Sequence, residues 1–405
     1  MAGFVDSIRR GAWLTPQRAR AYAVLLLAAG AVALAAGMLA DGLGHGVAGR
    51  QPGTDFTQVW VAGLEANEGA ASAPFDPATH FARQRALFGA NAHIYGWHYP
   101  PFFLFIAAAL ALLPYLAALA VWLGATLAAY LAAFRAAVGA PPPAGWWLPA
   151  LAFPAVFVNI GHGQNGFLTA ALLAGGLMLV DRRPFLAGAI LACLAYKPQF
   201  ALIAPLALLA AREGRALAGG AAGLAALCLV TLAAFGLAPW LAFLRSLDFT
   251  QRVVIEGGAI GFEKIQSVFA AARLLGASTT AAYAAQAIVA AAAFAGVVRL
   301  WAAGADRRLA IAAALTAALM TTPYCLDYDM VVLGPALALM YAHGRARGFA
   351  PYEKSAMALV FVTPLIARPL AGLSAPVAPL IVCMFFGFIV WRASASQPAA
   401  SPAAA

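Results

Sequence analysis

The run YPPFFLFIAAALALLPYLAALAVWLGATLAAYLAAFRAA, residues 99–137, decides how this chain is organised. It is almost wholly apolar, interrupted by Pro114 and closed by Arg135. One helix needs about 20 apolar residues to cross a bilayer, so the run holds either one crossing or a hairpin of two. The choice flips every later loop. With two crossings, Arg135, Asp181-Arg182-Arg183, Arg212, Arg215 and His343-Gly344-Arg345 all fall outside. With one, they stay inside with the N-terminus, and 16 of the 25 Lys and Arg become cytoplasmic while 10 of the 15 Asp and Glu lie outside. Basic residues collect on the cytoplasmic side. One crossing is therefore favoured, with residues 101–113 entering without spanning.

Composition agrees with a membrane chain. Of 405 residues, 64% are hydrophobic and 10% charged, with a mean hydropathy of +0.84. Soluble domains carry roughly a quarter charged residues, so soluble enzymes, nucleic-acid binders and disordered chains are excluded as classes. The formal charge of +10 and pI near 9.8 come from basic residues scattered as loop punctuation, with no aromatic-interleaved stripe. No nucleic-acid partner is expected. Cys193, Cys228, Cys325 and Cys383 stand singly, without zinc or disulfide spacing. Arg9, Arg10, Arg18 and Arg20 precede an apolar run, 21–40, which is long enough to span and reads as a retained first helix rather than a signal peptide.

Further apolar stretches lie near 146–160, 166–180, 185–196, 199–211, 216–236, 281–301, 308–322, 328–342, 355–370 and 374–391. The expectation is an all-α polytopic membrane protein of about 12 transmembrane helices (range 10–13), residues 1–392 forming a single integral membrane domain. A large first extracytoplasmic loop covers 41–98, a second extracytoplasmic segment 237–280, and the Ala/Ser/Pro-rich 393–405 is a disordered tail. Stretches such as 185–196 and 199–211 are short of a full span. They imply shielding from lipid by other helices around a wet cavity.

With one crossing in 99–137, five of the six histidines and most polar motifs land on the outer side. Costly polar groups near the membrane mark substrate pathways, so their convergence points to one external site. Asp55, in Gly53-Thr54-Asp55-Phe56, is either a general base or the N-cap of an interfacial helix running to about Asn67. Asp327 and Asp329 could bind a divalent cation or a sugar hydroxyl, or Asp327 could simply cap the next helix. Lys197 lies amid apolar sequence and is either a snorkelling residue or a phosphate counter-charge. Gln164 and Asn165, in Gly161-His162-Gly163-Gln164-Asn165-Gly166, could bond sugar hydroxyls or merely serve the turn. In Trp97-His98-Tyr99-Pro100-Pro101, His98 could donate to a phosphate, and the aromatic rings also suit an interfacial belt.

Taken in order, Thr54-Asp55-Phe56 with Trp60, Tyr99-Pro100-Pro101 with Leu113-Pro114, Gly163-Gln164-Asn165, Lys197-Pro198-Gln199 and Pro323-Tyr324 through Asp327-Tyr328-Asp329 carry a resemblance over residues 20–345. The chain resembles glycosyltransferase family 87, GT-C-type membrane mannosyltransferases dependent on polyprenyl phosphate mannose. The resemblance implies a GT-C fold with a catalytic Asp in the first extracytoplasmic loop, the place of Asp55. It implies a polyprenyl phosphate sugar donor, a lipid or glycan acceptor, typically an α-1,2 linkage, and a bacterial plasma (inner) membrane with its lipids around the protein. Some members carry a histidine near the last motif; Thr322-Pro323-Tyr324-Cys325-Leu326-Asp327 has none, and no histidine role is transferred there.

Displacing a sugar from a phosphodiester needs a cation on the departing phosphate and a carboxylate for the acceptor's proton. Asp55 is the candidate base. Lys197, with His98 and Arg252, is expected at the donor phosphate, and Lys264 and Arg273 are weaker candidates. Tyr99, Gln164, Asn165, Asp327 and Asp329 are expected on the sugar or acceptor side. A transporter or lipid flippase is the alternative. Transporters are commonly built from internal repeats, and the loop 41–98 with its Asp motif has no second copy.

Overall fold

Local chemistry sets the helix boundaries in the computed structural model, which describes residues 2–43, 52–90 and 92–395. Residues 44–51 and 91 of the expected first loop, and 396–405 of the expected tail, lie outside the described residues. The short amphipathic α1 (Ala2–Arg10) is followed by α2 (Pro16–Leu43), which opens on a proline pre-set for a first helical turn. After α2 come α3 (Phe56–Asn67) and α4 (Pro77–Phe88), the latter capped by Asp76, whose carboxylate accepts from the Ala78 N–H.

The run 99–137 divides at Pro114. A 3₁₀ turn at Pro101–Phe103 continues into α5 (Leu104–Leu110), and α6 (Tyr115–Ala137) follows. At about 1.5 Å per residue the segment 101–110 reaches roughly 15 Å, half of a hydrocarbon core, whereas α6 exceeds the full thickness. α3 rests on this break, with the Trp60 Nε1–H donating to the Leu113 carbonyl and Asn67 Nδ2 to that of Ala108, each at 3.0 Å.

The next turns are abrupt. α7 (Trp147–Ala152) leads to α8 (Pro154–His162), α9 (Gly166–Leu179) and α10 (Pro184–Ala192), which tightens into a 3₁₀ turn at Cys193–Tyr196. The chain leaves helical conformation at Lys197 because the residue before a proline is pushed out of the α region. Then come α11 (Pro198–Ala201), α12 (Ile203–Ala210), α13 (Gly214–Phe235) and α14 (Ala238–Phe249), whose end widens into a π-helical turn at Thr250–Glu256. Ser267 caps α15 (Val268–Leu274) and Ser278 caps α16 (Thr279–Ala302). α17 (Arg307–Met320) precedes a 3₁₀ turn, Asp327–Val332, that runs into α18 (Leu333–Arg347). The last helices are α19 (Glu353–Gly372) and α20 (Ala378–Ala395), so residues 393–395 of the expected tail are helical instead.

Six helices among the described residues are long and apolar enough to cross a membrane: α2 over Pro16–Gly37, α6, α13, α16, α19 and α20. Two of the shorter helices, α17 and α18, are shielded by the rest of the bundle. Every residue of α17 from Leu309 to Met320 is buried, as are Leu333–Met340 of α18, so these helices are apolar all round because protein surrounds them. α10 and α13 touch backbone to backbone, since a Cβ at Gly188 would overlap the Ala216 carbonyl and one at Gly219 that of Phe185. By contrast α2 buries almost none of its apolar length and stands at the edge of the bundle.

Candidate active site

Asp55 sits at the N-cap position of α3, yet its side chain makes no capping bond. It turns instead toward the 161–166 turn. Gly163, left-handed at φ 65°, ends α8 and folds this turn tightly back on Gly53–Phe56. A Cβ at Gly163 would lie 2.9 Å from Phe56 Cβ and 3.0 Å from Gly53 Cα. Trp122 Nε1 donates to the Gly163 carbonyl at 3.1 Å, and the Asp55 N–H donates to the His162 carbonyl at 3.1 Å. These backbone contacts fix which side chains can reach the carboxylate.

Gln164 Nε2 donates to Asp55 Oδ2 at 3.1 Å, and the Thr54 hydroxyl donates to Oδ1 at 3.3 Å. His162 Nδ1 lies 3.8 Å from Oδ1 and 3.3 Å from Thr54 Oγ1. The Tyr99 hydroxyl donates to Gln164 Oε1 at 3.2 Å and accepts from Asn165 Nδ2 at 2.8 Å. Tyr99, Gln164 and Asn165 therefore orient one another, with Gln164 passing that order on to Asp55. A carboxylate offers about four lone-pair sites, so these donors leave room for an acceptor hydroxyl.

The last motif meets the same cluster. His162 Nε2 is 4.0 Å from Asp327 Oδ1, and Arg368 Nη1, from α19, is 3.7 Å from Asp327 Oδ2. Asp329 turns the other way: Lys197 Nζ donates to its Oδ1 at 2.6 Å, and its Oδ2 accepts from the Leu326 N–H at 3.0 Å. The Lys197 ammonium also lies 4.9 Å from the centre of the Tyr328 ring. The second expected outer segment closes over this turn through the Ile265–Leu326 bridge, the Gln266 N–H to Cys325 carbonyl bond at 2.6 Å and Ser267 Oγ on the Pro323 carbonyl at 2.8 Å.

Electrostatics separate the two carboxyls. Burial pushes Asp55 up, but His162, Gln164 and the charge of Lys264 outweigh it and hold the carboxyl below its ordinary value. Burial prevails at Asp327, which stays above the ordinary range despite His162 and Arg368. Burial lowers His162, and Asp55 with Asp327 more than restores it, so its proton is held more tightly than usual. Asp55 is thus the carboxyl whose ionised form its surroundings favour, which is the state of a proton acceptor.

The three residues expected at the donor phosphate sit in different surroundings. Arg252 stays out of the cluster, exposed one helical turn from Asp248 and paired with it at 2.7 Å. His98 is half-buried with Nδ1 2.8 Å from Thr250 Oγ1, and desolvation, helped by His80, pushes its pKa down to about 4, so it brings no charge. Lys197 is buried, and Asp329 already neutralises it. Asp327 and Asp329 diverge rather than forming a cation pair, and among the described residues no group of three or more His, Cys, Asp or Glu is placed to hold a metal ion.

Two residues that the motifs did not single out join the cluster, His162 between the two carboxylates and Arg368 at its border. His162 lies inside the quoted turn, and Arg368 is a lone charge between Pro364 and Pro369 in an apolar helix, which is itself a functional signal. Replacing His162 by Gln should raise the Asp55 pKa, because burial then meets less opposition. The base would be protonated over a wider acidic range, so the acid limb of the pH–rate profile should move to higher pH. An unmoved limb would separate His162 from Asp55 ionisation.

The sequence profile of glycosyltransferase family 87 matches residues 97–326, more than half of the chain, taking in Tyr99, His162, Gln164, Asn165 and Lys197. No curated protein and no solved structure matches it. With its apolar helices and the polar cluster they enclose, the chain belongs to glycosyltransferase family 87 and is a membrane glycosyltransferase.

Proposed function

We propose that the protein transfers a hexose, mannose foremost, from a polyprenyl phosphate donor to a hydroxyl of a lipid or glycan acceptor on the extracytoplasmic face. The observation that carries this reading is Asp55, at a helix N-cap yet turned into a polar cluster that keeps it ionised. The acceptor hydroxyl gives its proton to Asp55 while its oxygen attacks the anomeric carbon. The bond from that carbon to the phosphate oxygen breaks, and the phosphate leaves with the electron pair. Phosphate needs no strong general acid, only positive charge as it departs. One displacement with one base inverts the anomeric centre.

Arg368 replaces Lys197 as the leading phosphate partner. Its guanidinium is 42% exposed, borders the cluster at Asp327, and offers planar donors suited to phosphate oxygens. Lys264 adds positive charge that acts on Asp55. The reading includes a GT-C-type arrangement of about 12 crossings in a bacterial inner membrane, with the Asp55 end outward.

Arg368→Gln should raise the donor KM about tenfold or more, the scale of a lost charge-assisted bond, with a smaller change in kcat. Unchanged donor affinity would remove Arg368 from the phosphate. The whole reading is tested by incubating the purified protein in lipid with labelled polyprenyl phosphate mannose and a membrane acceptor extract. A product of inverted anomeric configuration is expected. Failure with that donor and with other polyprenyl phosphate hexoses would overturn the reading.

A further inference from the structure

At the end of the bundle opposite Asp55, a cleft of about 1090 Å³ opens between the start of α2, the end of α18 and the start of α19. Lys354, on its rim, lies 14 residues before Arg368 on α19, roughly 21 Å along the helix. The cleft therefore lies well away from the candidate active site. Drug-sized ligands occupy pockets of roughly 300–1,000 Å³, so this cleft is large for a small solute. Its walls are mainly apolar, including Leu26, Trp146 and Phe361.

Three cations rim these walls: Arg20 of α2, Arg345 of α18 and Lys354 of α19. Arg345 lies over the Tyr341 ring at 5.9 Å and Lys354 over the Phe349 ring at 5.0 Å, and the two rings are 6.2 Å apart. That chain of contacts gathers both cations around one aromatic pair. Among the described residues none of the three has an acidic partner within ion-pair distance. Glu353, next to Lys354, is buried and held by Arg392 at 3.2 Å and the Ala350 N–H at 2.7 Å. The nearby Asp6 is paired with Arg10.

We propose that this cleft binds one anionic phospholipid of the cytoplasmic leaflet, its phosphate among Arg20, Arg345 and Lys354 and an acyl chain along the apolar walls. An apolar floor with an unneutralised cationic rim complements a lipid that is apolar at one end and anionic at the other. Basic pockets between membrane helices on the cytoplasmic side take such headgroups. The sparse burial of α2 leaves the groove beside it open to surrounding lipid. Trp13, which donates to Ser355 Oγ at 2.8 Å, ties the chain before α2 to α19 and holds the two walls together.

The test is native mass spectrometry of the full-length protein titrated with phosphatidylglycerol and with phosphatidylcholine, with and without excess inorganic phosphate. Wild type should retain one phosphatidylglycerol at roughly tenfold or greater preference, and the triple variant Arg20→Gln/Arg345→Gln/Lys354→Gln should lose that preference while keeping sugar transfer. No preference in wild type, preference kept by the triple variant, or displacement by inorganic phosphate alone would overturn the proposal. Phosphatidylglycerol with a photoreactive acyl chain, applied to wild type, decides the matter should the triple variant fail to fold. Crosslinks at α2, α19 and Trp146 are expected; crosslinks confined to other surfaces would overturn it.

Discussion

Asp55→Asn should cut sugar transfer by about 10²-fold or more, the scale of a lost general base, with folding intact. The side chain makes no capping bond in the native helix, so α3 loses no cap. An amide retains one oxygen to accept from Gln164 or Thr54. What it cannot do is take the acceptor's proton. Donor affinity should be nearly unchanged, because the phosphate contacts are assigned to Arg368 and Lys264. Turnover and thermal melting, measured together, separate the two effects. Near-normal turnover would remove Asp55 from the role of base.

Lys197→Met should cost about 3–5 kcal/mol of stability, the range for removing one partner of a buried ion pair. Lys197 is 5% exposed and Asp329 2%, so solvent barely screens the charge left behind. The variant strands the Asp329 carboxylate with only the Leu326 N–H as partner. Adding Asp329→Asn removes that stranded charge while keeping an oxygen for Leu326, so the double variant should recover much of the loss. Melting of the purified protein in detergent, for wild type, both singles and the double, reads this directly. A Lys197→Met protein melting like wild type would show that the pair does not stabilise the fold.

Much of this arrangement is readable from residue order. Asn67 ends α3 where the apolar pattern stops, and Pro114 divides the 99–137 run into a short helix and a long one. Gln164, Asn165 and Tyr99 come together as their shared placement on one side suggests. Side-chain direction is a different matter. Lys197 reads as a free cation because its partner, Asp329, is far along the chain, and only tertiary packing joins them. Arg252 reads as a loop cation, but α14 and its π-helical extension put Asp248 one turn away.

His162 shows the same limit from the other side. The motif around it advertises Gln164 and Asn165, yet the left-handed Gly163 turn decides that the imidazole lies between Asp55 and Asp327. A histidine reaches Asp327 after all, from a distant turn rather than from the motif's own neighbourhood. Arg368 follows the family-matched region and belongs to none of the quoted motifs. Its signal is its isolation in an apolar helix, and α19 must be packed against the Asp327 turn before that signal acquires a partner.

The most direct measurement is a single turnover in lipid, with polyprenyl phosphate mannose pre-bound to wild type or Asp55→Asn before acceptor is added. Equal donor occupancy, rapid product formation by wild type and at least about 10²-fold slower formation by the variant are predicted. Equal rates from equal occupancy would contradict Asp55 as the base on which the mechanism rests.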